Sequence, residues 1–148
     1  MHTGPHLHFK GNCREAFRFY AETFGGSIEF SMTYGEAPGA EQAPPEVRNQ
    51  IIHTRLSFGD GQYILGMDAP GERYHAPQGF NVMADVEGPA DAERIFNTLA
   101  RDGTVTMPFG ETFWARGFGM VTDRFGIPWM INCAKPLDAA QGAARKSA

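Results

Sequence analysis

The 148-residue chain carries five histidines and two cysteines, and their spacing sorts those that could do chemistry from those that could not. Imidazole changes charge near neutral pH and serves as a general base or a metal ligand. In Ile51–Phe58, strand alternation puts Ile52, Thr54, Leu56 and Phe58 on one, more apolar face, and Ile51, His53, Arg55 and Ser57 on the other. His53 is thus a candidate polar group of a pocket, or a satisfied structural histidine. Arg55 beside it could hold an anionic group through its planar fork, or neutralise Glu111 or Asp68. In Pro5–Phe9, His6 and His8 alternate with Leu7 and Phe9, and a one-residue slip of register exchanges the inward and outward pairs. His2 and His75 fall in loops and are expected at the surface. Cys13 lies on a helical stripe and Cys133 in the last strand, neither beside a basic group that would lower its pKa, so a thiol nucleophile is not supported. Glu111 is a pocket acid or a solvated hairpin charge. Trp114, beside Gly117 and Gly119, overhangs a pocket or joins the core. Trp129 shares a strand face with Ile131 and is expected in the core.

The elements that must position these groups alternate in a regular order. Asn12 is a candidate N-cap, with Glu15 completing a capping box. Cys13, Ala16, Phe17, Tyr20 and Phe24 follow at helical spacing, and Gly25-Gly26 ends the stripe. A second helix opens at Gly88-Pro89, buries Ala92, Ile95, Phe96 and Leu99, and closes at Gly103. Strands are expected at Pro5–Phe9, Ser27–Tyr34, Ile51–Phe58, Tyr63–Met67, Phe80–Val86, Thr104–Met107, Phe118–Thr122 and Trp129–Cys133. Gly59-Asp60-Gly61 and Asp123-Arg124-Phe125-Gly126 read as hairpin turns. Neither Gly59-Asp60-Gly61 nor Gly117-Phe118-Gly119 is a strand-to-helix phosphate loop. The order strand, helix, three strands therefore occurs twice, a degenerate internal duplication. Gly35–Asn49 reads as a long flexible loop, and the tail from Leu137 as a frayed end.

Composition narrows the partners. Thirteen Lys and Arg stand against seventeen Asp and Glu, a net charge of −4. Without a basic cluster, nucleic acid and anionic membrane are not expected partners. No apolar run approaches the ~20 residues of a membrane span, the first residues lack the pattern of a secretory signal, and two cysteines make no disulfide scaffold. A soluble, cytoplasmic globular protein is expected, α+β in class.

Two stretches of text then suggest a family. Pro5-His6-Leu7-His8-Phe9-Lys10-Gly11-Asn12-Cys13-Arg14-Glu15-Ala16 running into Phe19-Tyr20 is one. Glu111-Thr112-Phe113-Trp114-Ala115-Arg116-Gly117-Phe118-Gly119, with Val121-Thr122-Asp123-Arg124-Phe125-Gly126-Ile127-Pro128-Trp129-Met130-Ile131-Asn132, is the other. With the doubled βαβββ order, they resemble the PhnB-like branch of the vicinal oxygen chelate superfamily, over about residues 5–135. The resemblance implies a single domain over 1–148, with module one at about 5–68, module two at about 79–134 and a tail at 137–148. It implies curved mixed sheets forming a cup, helices outside, and a homodimer. Members of the branch sometimes carry a ubiquinone-pathway methyltransferase label, but this sequence has no Gly-rich loop after a strand to cradle S-adenosylmethionine.

In metal-dependent members of the superfamily, ligands come from the first, third, fifth and eighth strands. The resemblance places His53 at the third-strand position, either His8 or Pro5 at the first, Phe80 at the fifth and Met130 at the eighth. Phe80 and Met130 are not plausible ligands for a divalent ion that wants carboxylate or imidazole. The expectation is therefore a small-molecule-binding protein with no metal and no cofactor, its ligand-binding residues His8, His53, Arg55, Phe80, Glu111, Trp114 and Met130, and no catalytic residue assigned. Two other readings stay open. One is a metal-dependent lyase, isomerase or dioxygenase acting on vicinal oxygens, its ion held by His8, His53 and an acid such as Glu111. The other is a metal-free acid–base enzyme using His53.

Overall fold

The computed structural model describes residues 1–137, so the tail expected to fray lies, beyond Leu137, outside the described residues. The chain divides into two compact units, one ending at Ala76 and one beginning at Pro77. Unit one runs β1 (His6–Phe9), α1 (Cys13–Phe24), β2 (Ser27–Thr33), β3 (Ile51–Gly59) and β4 (Gln62–Asp68). Unit two runs β5 (Val82–Asp85), α2 (Pro89–Ala100), β6 (Thr104–Gly110), β7 (Ala115–Thr122) and β8 (Pro128–Ala134). Each unit is a βαβββ module with one four-stranded sheet, ordered β1-β4-β3-β2 and β5-β8-β7-β6. β1–β4 and β5–β8 pair in parallel, and the other neighbours pair antiparallel. The expected α+β class and doubled order are both present.

In unit one the helical stripe does what its spacing predicts: Cys13, Ala16, Phe17 and Tyr20 are buried, and Gly25 ends α1 in the left-handed conformation at φ 76°. Phe17 presses so close to β4 that any side chain at Gly66 would collide with its ring. The N-terminus differs from expectation. Asn12 makes no side-chain cap; the cap comes from Asp68, 55 residues on, whose Oδ1 accepts the Cys13 N–H at 3.0 Å. The same oxygen accepts the Gly11 N–H at 2.9 Å, and Oδ2 accepts the Ile51 N–H at 2.8 Å. Asp68 is 1% exposed, so its charge is dispersed over three amides and the positive end of α1 rather than over water. Gly35–Asn49 is likewise not structureless. It is tied at its base by Tyr34 N–H to Gln50 O and Gly35 N–H to Arg48 O, and holds short 3₁₀ turns at Ala40–Gln42 and Pro45–Val47.

Unit two solves the same junction without a carboxylate. Proline at the first position of α2 removes one amide that would need an acceptor, and the Cys133 thiol donates to the Glu87 carbonyl at 3.3 Å. Ala92, Ile95, Phe96 and Leu99 are buried as expected. The helix ends at Ala100, earlier than expected, and Asp102 rather than glycine takes the left-handed turn at φ 57°. Gly103 answers to a different constraint: a Cβ there would lie 2.5 Å from the Thr122 carbonyl. Both hairpin turns form, through Gly59, Asp60 and Gly61 at φ 85°, 49° and 75°, and through Gly126 at φ 88°. Trp129 is core, 2% exposed, and its indole N–H donates to Asp123 Oδ2 at 2.8 Å.

Replacing Asp68 by Asn keeps the shape but puts a donor where one of the three amides needs an acceptor. Asp68→Asn is expected to lower stability by about 2–4 kcal/mol in urea denaturation. A loss below about 1 kcal/mol would show that the carboxylate is not what holds the junction.

Candidate functional site

Each helix covers one face of its own sheet, and the sequence's chemistry lies mainly on the other. On β1, Leu7 and Phe9 are buried while His6 and His8 are exposed, so the register question is answered: both histidines point away from α1. The β1–β4 and β3–β4 registers then bring His6, His8, His53, Arg55, Tyr63, Leu65 and Met67 to one face. The His6 ring lies 5.2 Å from His8, edge to face, and 6.1 Å from His53, stacked. Phe30 of β2, 44% exposed, packs 5.7 Å from His53. At the start of β3 the expected alternation fails. Ile51 is buried and Ile52 half-buried, beside a register shift between Met32 and Thr33. His53 and Arg55 keep the far face.

Arg55 does not neutralise Glu111 or Asp68. It pairs with Glu29 at 3.1 Å and lies 4.2 Å above the Tyr63 ring. His6 is held below its ordinary pKa, first by burial and then by the charges of His8 and His53. Cys13 is pushed well up by burial and by Asp68, and the nearby Arg14 does not offset this. It is no nucleophile.

In unit two, Gly119 lies against Phe96 of α2 and pairs with Ile131, which marks the helix side. The alternate residues turn away from it. Asp85, Asn132 and Phe118 form one cross-strand row, and Met83, Met130 and Met120 the next. Trp114 is half-buried, with its ring 5.2 Å from Phe118 and 4.8 Å from Phe113. Met130 is therefore on the far face as expected. Phe80 is not on a strand: β5 begins at Val82, and Phe80 sits 47% exposed before it. Glu111 is solvated and bound to Lys135 Nζ at 2.7 Å, which lowers its pKa. Lys135 also donates to the Thr112 carbonyl at 2.8 Å, clamping the segment before β7.

Sequence reasoning missed Phe30, Tyr63, Lys135 and the Asp85–Asn132 pair. The last depends on the parallel β5–β8 register, which leaves no local signal. A superfamily-type metal does not fit these residues. Phe80 and Met130 offer no suitable donor, and among the described residues no three His, Cys, Asp or Glu side chains are grouped to hold an ion.

Comparison with known proteins agrees with this architecture. The family model described as 3-demethylubiquinone-9 3-methyltransferase matches residues 2–132. The chain belongs to this family. It is 36% identical over 143 residues to protein YjdN of Escherichia coli strain K12, covering 91% of this chain and 97% of that one. Among solved structures it is similar to protein PA1353 from Pseudomonas aeruginosa, with 40% identity, TM-score 0.81 and coverage of 92% and 99%. It is also similar to the PhnB protein from Bacillus cereus, with 23% identity, TM-score 0.76 and coverage of 90% and 100%. The PhnB-like assignment read from the two motif stretches is confirmed, and the paired βαβββ modules are the glyoxalase-like fold.

The lowered pKa of His6 has a consequence for stability. Its ordinary value is 6.5, and the folded value lies below it, so the unfolded chain binds the proton more readily. Stability contributed here is full above pH 6.5 and is lost as pH falls through the folded value. His6→Asn is expected to flatten the fall in melting temperature between pH 7 and pH 5. An unchanged slope would remove the histidine cluster as its cause.

Proposed function

We propose that the chain is a small-molecule-binding protein, using the sheet faces turned away from α1 and α2. The observation that carries this reading is the makeup of those faces. A face meant only for water is rich in charge. These carry methionine and aromatic side chains, half-buried at Met67, Trp114, Met120 and Met130 and exposed at Phe30 and Met83, with a few polar groups between them, the usual makeup of a ligand site. Phe30, His53, His8 and Arg55 supply this mixture in unit one; Met130, Trp114 and Phe118 supply it in unit two.

The family's description names methyl transfer, and the strand-to-helix turns bear on that. In the β1–α1 turn the Gly11 and Cys13 amides are already filled by Asp68. In the β5–α2 turn, Pro89 removes an amide. These residues do not fit a backbone cradle for the charged groups of S-adenosylmethionine. The expected homodimer has suitable surfaces in edge strands β2 and β6, where Ile28, Phe30, Val105 and Met107 are exposed.

The test is metal content and ligand response together. Protein purified without chelator or polyhistidine tag, then incubated with zinc, nickel, manganese or iron, is expected to hold well under one equivalent after desalting. A library of apolar and aromatic compounds should contain some that raise its melting temperature. Saturation at ~100 times Kd stabilises by about 2.7 kcal/mol. Near-stoichiometric metal would overturn the reading in favour of metal-assisted chemistry on vicinal oxygens.

A further inference from the structure

Four of the chain's seven methionines stand in a single cross-strand row. Met83 of β5 pairs with Met130 of β8, Met130 with Met120 of β7, and Met120 with Met107 of β6. The row therefore crosses all four strands of the unit-two sheet. Its last member gets there through an irregularity. Thr104 and Val105 pair with Thr122 and Val121, and regular continuation would set Thr106 opposite Met120. A register shift between Val105 and Met107 sets Met107 there instead, and re-aiming a side chain is what such bulges do.

The next row, Ala84, Ile131 and Gly119, meets Phe96 of α2 at Gly119, so alternation turns the methionines to the face away from the helix. Solvent reaches them there. Met83 is 54% and Met107 42% exposed, while Met120 and Met130 are half-buried. Adjacent strands lie ~4.8 Å apart, and a methionine sulfur at the end of a flexible, unbranched chain can reach that of its neighbour across the ladder. A face that needed only to be apolar would be served as well by leucine, whose volume is close. What methionine adds is a thioether, a soft ligand that suits Cu(I) and not the ions that want carboxylate or imidazole.

We infer that the methionine row is a binding site for a soft monovalent metal ion, Cu(I), held between the thioethers of Met120 and Met130 with Met83 or Met107 closing the site from either end. The site is a different one from the superfamily's, which calls for harder donors than these. It goes beyond the small-molecule reading and does not rest on it. The other soft donors, Cys13 and Cys133, are buried, which leaves the histidine face of unit one as the competing place for the ion.

The test is a titration of the full chain, ¹³C-labelled at its methionine methyl groups, with Cu(I) under anaerobic conditions. Saturable shifts of the Met120 and Met130 methyl signals are expected, joined by Met83 or Met107, with no such response to Zn(II). Competition with a Cu(I) chelator such as bicinchoninate then gives the affinity. It is expected to fall at least about tenfold in the double variant Met120→Leu, Met130→Leu, which keeps side-chain volume and whose fold circular dichroism checks. Should that variant not fold, the wild-type methyl shifts decide the matter alone. Shifts confined to Met32 and Met67, which pair with His53 and His8, would put the ion on the histidine face and overturn the inference. An equal response to Zn(II), an unchanged affinity in the folded double variant, or no saturable shift with Cu(I) would overturn it as well. None of these outcomes bears on whether an organic ligand raises the melting temperature, so the two readings fail separately.

Discussion

The first unit depends on one buried carboxylate. Asp68 sits at the end of the last strand, where the β1–α1 turn and the start of β3 converge, and it supplies acceptors to amides of both. Those amides could not be satisfied by water there, and a neutral side chain would satisfy fewer of them. The interaction joins residues 55 and 57 apart in sequence, so it also fixes where the sheet closes. The phenol of Tyr34 donates to the Asp68 carbonyl at 2.8 Å, bringing the base of the Gly35–Asn49 segment to the same point. Unit two has no such carboxylate at its junction and uses proline and a thiol instead. The duplication thus preserves element order while the chemistry of the corner has diverged.

With the corner fixed, helix packing decides which groups are left for function. In each unit an aromatic ring of the helix presses onto a glycine of the sheet, Phe17 on Gly66 and Phe96 on Gly119. That close approach settles which strand face is covered, and period-2 alternation carries the decision to every other residue. His6 and His8 are turned out because Leu7 and Phe9 are turned in. Met130 and Asn132 are turned out because Trp129, Ile131 and Cys133 are turned in. The candidate sites are therefore a consequence of core packing, not of loops.

The same logic explains what could be read from residues alone. Both helices, both hairpin turns and the buried role of Trp129 carry local signals: apolar spacing, glycine, alternation. The far-face placement of His53 and Arg55 followed from alternation within one strand. What was hidden is what joins strands far apart in sequence. The cap expected from Asn12 comes from Asp68, because a buried carboxylate with three amides to serve outcompetes a neighbouring amide side chain. The first-strand register needed the β4 partner. Phe80 was placed on a strand because its apolar run continues into β5, but ladder pairing begins only at Val82. Arg55 had Glu111 and Asp68 as candidate partners, yet pairs with Glu29 across the β2–β3 ladder, beside a register shift that no pattern announces.

Family membership and site chemistry are different kinds of statement, and this chain separates them. The family match spans residues 2–132, which is the scaffold, and a scaffold hosts many activities. Activity must come from particular side chains. The resemblance assigns ion-holding positions to His53, Phe80 and Met130; of these only His53 carries a donor suited to a divalent ion, and Phe80 lies before β5 rather than on it. What it presents is softer and more apolar: a cluster of three histidines in which burial, and then His8 and His53, lower the pKa of His6, methionines in a row, and Trp114 against Phe118. Such faces recognise a ligand by shape, polarisability and a few hydrogen bonds.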